Sequence, residues 1–542
     1  MSGSGRYNQI RKRQDGLSVE RYIIIHKGEG CVKIWNRKLG LAALAAVLTG
    51  ALLSGCSKDN AANEGNHESA DTGKEITLEM MTFSHTNWPY KENWPIYKYL
   101  KEETGISFKV QPVMSDYTTT MNLAISSGEI PDLMMVNSLN AANTHGASGA
   151  FVDYFEHLDQ MPNYKKFLDD HPEVKAAILS PEGKNYFMPL YGLEQQSRRS
   201  WLYRDDIFKK HNLTPPTTYD ELYTVAKKLK ELYPDSFPIA VFNGLSPLVN
   251  MAPAFNTNSS YYYDFEKNEW RYGPTEDNYK KMVEYMNKFY AEGLVAPDFM
   301  AHKRKQFNDL LLQNKSFIAS DYIGIMDELP LMLGDASSEF SLDYMVPPIG
   351  TPDGKSHNVF AGLQSDGFAV AANSKERDRL LQYLDFLFSP EGIELATWGR
   401  EGETFTTENG VRTFNDDYKE FGDLRTKTGI ATIGAHIVLD MTAYESMYSP
   451  KMREAMKIAP DHETKPQPRL AYTNEENEVL SMVGETVKKF HEEQIAKFIL
   501  GQKPMDEWDT YVQEVNKLGV QQVLDVHQSA YERTQKFLNE AK

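Results

Sequence analysis

The chain has 542 residues, with 58 Lys and Arg against 76 Asp and Glu and a formal net charge of −18. Residues 1–55 hold nine basic and three acidic residues, so residues 56–542 carry 49 and 73, a net charge of −24; that balance argues against a nucleic-acid partner, because phosphate binding needs a basic face. Only Cys56 remains of the cysteines beyond residue 55, which excludes an internal disulfide, a thiolate metal site and a cysteine nucleophile there.

The first predicted element is an export signal. Lys33, Arg37 and Lys38 form a basic cluster, followed by the uncharged apolar stretch Leu39 to Leu53. It is too short to span about 30 Å of hydrocarbon comfortably but suits a signal-peptide core. Leu53-Ser54-Gly55-Cys56 then resembles the bacterial lipobox. That resemblance implies lipidation of the Cys56 thiol and cleavage before it. Residues 1–31 are expected to be a non-native or mis-annotated preamble, residues 32–55 the lipoprotein signal peptide and residues 56–74 a disordered tether. The tether is polar throughout and lacks large apolar side chains, so it cannot bury enough surface to fold.

Folded structure is expected from Glu75. Ile76 to Phe83 reads as a strand, Tyr97 to Thr104 as a helix stopped at Gly105, and Ile106 to Val110 as an alternating strand. Tyr117 to Ser126 reads as a helix ended by Gly128, and Asp132 to Val136 as a buried strand. Strand, helix, strand, helix, strand describes parallel βαβ units. Further on, Thr218 to Glu221 forms a capping box before an amphipathic helix, and Ser389-Pro390 is an N-cap with proline at the first helical position. Val479, Val483, Val487, Phe490 and Phe498 stripe a long helix, and Trp508, Tyr511, Val512 and Val515 stripe another.

Several rival chemistries fall on spacing. Gly350 to Ser356 imitates a phosphate loop with one residue too few between its glycines and a proline among them. His491-Glu492-Glu493 lacks zinc-protease spacing, since position 495 is isoleucine. No Gly-x-Ser-x-Gly elbow is present. Carboxylates are too numerous for counting to isolate a glycosidase pair.

Five segments, in order, carry a resemblance: Ser127-Gly128 with Pro131-Asp132, Gly183-Lys184 with Tyr186 and Pro189, Tyr203-Arg204 with Asp206 and Pro216 to Leu222, Ser389 to Gly392 with Gly399 to Gly402, and Ile499 to Gln502 with Trp508. Through them the chain resembles the extracellular solute-binding proteins of ABC importers, in the family that includes maltose-binding protein, and is most similar to the long members that serve complex-sugar importers. The resemblance implies an α/β, periplasmic-binding-protein-like fold: two α/β lobes, a ligand cleft and hinge crossovers near Pro189 to Glu194 and Leu363 to Gly367. Lobe one is expected over 75–190 and 366–430, lobe two over 191–365 and 431–542. It implies a monomeric lipoprotein on the extracellular face of the cell membrane. It would capture a sugar and deliver it to permease subunits without catalytic residues or cofactor. Some long members carry a calcium loop, but the corresponding Glu231 to Pro238 lacks alternating oxygen ligands, so no metal is expected.

Ligands of open α/β folds bind at the carboxyl edges of strands. The expected edge residues are Ser84, His85, Asn87 and Trp88 after the first strand, and Asn137 and Ser138 after Val136. Asp321 and Tyr322 end a string matching the family's strand with a cleft aromatic. Trp398 and Glu401 flank a loop after a helix. Plainer roles are open for two of them: loop packing for Trp88 and the core for Tyr322. Trp201 and Trp508 are expected in the core, and Tyr261 to Tyr263 with Trp270 in a surface hairpin. Two other readings stay open: a surface glycosidase or lyase, and a sugar or peptide sensor.

Overall fold

A computed structural model describes residues 75–192, 198–334, 339–360, 362–363 and 365–540. The expected preamble, signal, tether and Cys56 lie outside these residues. Strands are numbered in chain order. β1 (Ile76–Phe83), β2 (Ile106–Val113), β3 (Leu133–Val136) and β4 (Met188–Pro189) come first. β5 (Arg199–Arg204), β6 (Ile239–Ala240), the hairpin β7 (Tyr261–Asp264) and β8 (Glu269–Tyr272), β9 (Ile318–Tyr322) and β10 (Leu342–Met345) follow. β11 (Gly367–Val370) precedes a last hairpin, β12 (Phe405–Glu408) and β13 (Val411–Phe414).

Two larger sheets result, ordered β2-β1-β3-β11-β4 and β10-β5-β9-β6. In the first, β1 pairs parallel with β2 and β3, as the βαβ reading expects, while β11 runs antiparallel between β3 and β4. Helix Pro95–Thr104 supplies the first crossover and helix Tyr117–Ser127 the second. The latter stops at Gly128, whose φ of 75° is left-handed and whose N–H reaches back to Ala124 and Ile125 carbonyls. The Thr218 cap forms, its Oγ1 accepting from Glu221 N–H at 3.2 Å. Its reciprocal half differs from a capping box: the Glu221 carboxylate accepts from Thr217 N–H, one residue earlier.

Each sheet has its own core. The first gathers Met80, Met134, Phe187, Phe368, Trp398 and Tyr444. The second sheet is covered on both faces, and the two-residue period divides its side chains: Trp201 and Ile318 enter one core, Leu202 and Ala319 the other. Phe498, Trp508, Tyr511 and Val515 from the carboxyl-terminal helices join the core of Trp201. The architecture is two α/β lobes. Ile437 to Tyr444 pack in the first core, so chain past residue 430 belongs to the packing of the first sheet. The tyrosine hairpin exists, but it is roofed: Tyr263 packs tilted against Tyr531, and Trp270 stacks on His527, of helix Val520–Glu540.

Three chain segments meet where the lobes join. Leu190 N–H donates to Asp366 O at 3.1 Å, Tyr191 N–H to Ile437 O at 2.9 Å, and Leu439 N–H to Tyr191 O at 3.0 Å. Next to them Gly192 has φ 110°, and a Cβ there would stand 2.9 Å from Leu439 O. Only glycine accommodates both the dihedral and the contact.

Candidate ligand cleft

On the first lobe, β1 runs out at Phe83 into a short loop. Ser84 is buried; its N–H donates to Val113 O and its Oγ accepts from Tyr90 N–H, both at 2.9 Å. This fixes the loop that carries His85 and Trp88, whose rings stack 3.9 Å apart at 9°. Asn87 N–H donates to His85 Nδ1 at 3.1 Å, which places the proton of neutral His85 on Nε2. Desolvation, and then the charge of Arg425, lower the His85 pKa, so the ring favours its neutral form. The Asn87 side chain is exposed.

Arg425 completes the site from helix Phe421–Thr428. Its Cζ lies 4.6 Å from the Trp88 centroid and 5.4 Å from those of Phe421 and Tyr444. Nε donates to Ala431 O at 3.2 Å and Nη2 to Tyr444 Oη at 2.5 Å. Around this group opens a recess of about 640 Å³, counted with the solvent-open space at its mouth, lined by Thr82, Phe83, Tyr90, Trp94, Thr432 and Ile433 besides the residues just described. Thr82 is 1 % exposed and its Oγ1 has no hydrogen-bond partner among the described residues. A buried hydroxyl left unpaired in the wall of a recess is a polar group awaiting a partner.

At the facing lobe, β9 ends in Asp321 and Tyr322. Asp321 is fully buried and takes Arg304 through both carboxylate oxygens. Arg304 in turn lies 4.7 Å over Phe242. Tyr322 is half-buried; Arg199 Cζ stands 4.2 Å over its ring, and Arg199 Nη2 donates to its hydroxyl at 3.2 Å. Glu328, on helix Ile325–Leu333, spans the gap electrostatically. Desolvation raises its pKa, Asp321 and Glu420 add to the rise, and Arg304 and Arg425 oppose it. The acid of one lobe thus feels charges of both.

Nearer the hinge, Tyr117 Oη donates to Met135 O at 2.7 Å, tying β3 to the second crossover helix. Asp366, whose pKa is raised by desolvation against the pull of Arg469, acts on the same hydroxyl.

The expected site residues therefore divide. His85 and Trp88 share the recess, with Asn87 beside them, and Asp321 and Tyr322 stand on the opposite strand edge. Asn137 and Ser138 sit at the end of β3: Asn137 Nδ2 donates to Thr118 Oγ1 at 2.6 Å, and Ser138 caps helix Leu139–Ala147. Trp398 is a correction. It is 2 % exposed, stacks on Phe414 at 4.7 Å and donates Nε1–H to Asp440 at 2.8 Å, because helix Pro390–Thr397 delivers it into the first core. Glu401 lies in a separate shallow depression with Glu103, Glu394 and Arg400, where it accepts from Thr407 N–H. Arg425, Arg199, Arg304 and Glu328 escaped sequence reasoning, since none belongs to a motif or lies at the carboxyl end of a strand.

The segment after helix Tyr219–Leu232, where a calcium loop would fall, is a short turn in which Lys230 Nζ donates to Ser236 O at 2.6 Å. Among the described residues no three His, Cys, Asp or Glu side chains gather as a metal site, and no helix is long and apolar enough to cross a membrane.

Two α/β lobes, a cleft between strand edges and multiple chain crossings define the architecture of a solute-binding protein. Residues 96–409 match the family described as bacterial extracellular solute-binding protein, and the chain belongs to it. It is 24% identical over 525 residues to the polygalacturonan/rhamnogalacturonan-binding protein YtcQ of Bacillus subtilis (strain 168), covering 92% of this chain and 99% of that protein. It is 23% identical over 549 residues to the fructooligosaccharide ABC transporter substrate-binding protein FusA of Streptococcus pneumoniae serotype 4 (strain ATCC BAA-334 / TIGR4), covering 91% and 98%. Among solved structures, alginate-binding protein AlgQ2 aligns with a TM-score of 0.70 at 24% identity, over 85% of this chain and 98% of that one.

Proposed function

We propose that this protein captures an oligosaccharide outside the cell and delivers it to the permease of an ABC importer, held to the membrane by a lipid on Cys56. The observation that carries the reading is the juxtaposition of an aromatic recess on one lobe with a polar, arginine-bearing strand edge on the other. A pyranose offers an apolar C–H face and a rim of hydroxyls; aromatic walls suit the first and planar polar groups the second. The relatives named for polygalacturonan, rhamnogalacturonan and fructooligosaccharide, aligned over nearly their whole length, support a sugar as cargo. Capture follows from bending about the crossings at Leu190 to Gly192, Asp366 and Ile437 to Leu439, which closes the lobes over the solute. The permease then receives the closed form. None of these steps needs a covalent intermediate, so the protein acts by binding alone.

The test is calorimetry and thermal shift of the full chain in detergent against an oligosaccharide panel. A ligand that binds only the native state raises the melting temperature. Saturable binding of a sugar is the expected result, and reducing-sugar release from the same panel would replace this reading with a hydrolase.

A further inference from the structure

Among the described residues most half-buried or buried guanidiniums have a carboxylate in hand: Arg198 pairs with Glu463, Arg204 with Asp206, Arg271 with Asp264, Arg400 with Glu102 and Arg412 with Glu394. Arg425 and Arg199 differ. Both are half-buried, and among the described residues neither has a carboxylate within ion-pair distance. Both instead lie on a cleft aromatic, Arg425 on Trp88 and Arg199 on Tyr322, one in each lobe.

A guanidinium carries five N–H groups. On Arg425, Nε is used by Ala431 O and one N–H of Nη2 by Tyr444, which leaves Nη1 and the rest of Nη2 without a partner among the described residues. The contact over Trp88 and the two hydrogen bonds together restrain the fork, so the remaining N–H groups are held in place. Among the described residues lining the recess, Arg425 is the one charged side chain. A preorganised planar fork is the geometry that binds a carboxylate through two parallel N–H···O bonds. In a chain of net charge −18, the long-range field repels an anionic ligand, and a local cation is what such a ligand requires.

We infer that the cargo of this cleft is an acidic oligosaccharide, its uronate carboxylate received by Arg425 on one lobe and a second carboxylate or ring hydroxyls by Arg199 on the other. The inference rests on the sugar-binding reading above. A uronate carries its carboxylate at the ring edge, so a pyranose resting in the aromatic recess turns that group sideways, toward the Arg425 fork.

The test uses the full chain in detergent and oligomers of galacturonate, mannuronate and glucuronate, each beside its methyl ester, with neutral fructo- and gluco-oligosaccharides as a third arm. The ester keeps the skeleton and removes the charge. Binding of an acidic oligomer is expected, with its ester on the order of 30-fold weaker, as for loss of a charged hydrogen-bonded contact. Arg425→Gln should weaken the acid by a similar factor and the ester little, and Arg425→Lys should recover part of the loss. Acid and ester bound equally by the unaltered protein, or a neutral oligosaccharide bound as tightly as any acid, overturns the inference and leaves the sugar reading standing. No binding by any member overturns both. The ester comparison needs no variant, so a misfolded Arg425→Gln leaves the test intact.

Discussion

The imidazole of His85 stacks at 3.9 Å on the ring of Trp88, which is also faced by Arg425 at 4.6 Å. The π surface of Trp88 is thus already engaged by protein groups. The tryptophan acts on a ligand both as apolar wall and as the surface that orients Arg425. Trp88→Ala is expected to weaken sugar binding by about 2 kcal/mol, or roughly 30-fold, as for a hot-spot aromatic, while ligand-free melting temperature changes little. Trp398→Ala is expected to do the reverse, costing about 3–5 kcal/mol of stability through the cavity left in the first core. Calorimetry with ligand and melting curves without it separate the two. Normal affinity in Trp88→Ala would move that residue out of the site.

Tyr322 offers a subtler comparison. Its hydroxyl accepts from Arg199 at 3.2 Å and its ring lies under the same guanidinium. Tyr322→Phe keeps the ring contact and loses the hydrogen bond, so a loss of about 1 kcal/mol in affinity is expected; Tyr322→Ala loses both and should cost about twice as much. Equal affinities of the two variants would show that the ring plays no part.

Acid should loosen the fold through buried histidines. His436 donates Nδ1–H to Thr432 O at 2.8 Å, and its Nε2 is buried without a partner among the described residues. His491 meets Tyr511 Oη at 2.9 Å. Desolvation pushes both pKa values down to about 4. The unfolded chain, with histidine near 6.5, binds more protons over that interval, so stability falls as pH drops from about 6.5 to about 4. Melting curves across that window should show the decline, and a His436→Gln, His491→Gln double variant a shallower one. Identical slopes would assign the acid sensitivity to other groups.

Gly192 tests the hinge. A Cβ would press on Leu439 O at 2.9 Å with φ at 110°, a conformation that costs about 1–3 kcal/mol for other residues. Gly192→Ala should therefore shift the crossing and reduce the contraction seen by small-angle scattering when ligand is added. Unchanged contraction and stability would place the bending elsewhere.

Cys56→Ser should leave the protein unlipidated and released from membranes. Labelled lipid still incorporated into the variant would exclude Cys56 as the anchor.

The sequence revealed what short-range chemistry controls. β1 was legible from its apolar run, and the Thr218 and Ser389 caps from a hydroxyl placed three residues before the N–H it accepts. His85 and Trp88 were legible because a loop after a strand must lie at the sheet edge. Arg425 was not, because its meaning comes from packing on Trp88, more than three hundred residues away in sequence. Trp398 misled for the same reason: beside a loop it reads as exposed, and only the arrival of Phe414 and Asp440 makes it core. The antiparallel course of β11 was equally hidden, since four apolar residues read alike in either direction.

That strand has a consequence for how the molecule is made. β11 fills the slot between β3 and β4, yet it lies about 180 residues downstream of β4. A chain emerging amino terminus first therefore presents β3 and β4 with unpaired edges while the whole second sheet is still being produced. Exposed strand edges are templates for wrong partners. The first sheet to begin is thus completed only after every strand of the second has been made, and its edges must stay open, or guarded, until residue 370 has emerged.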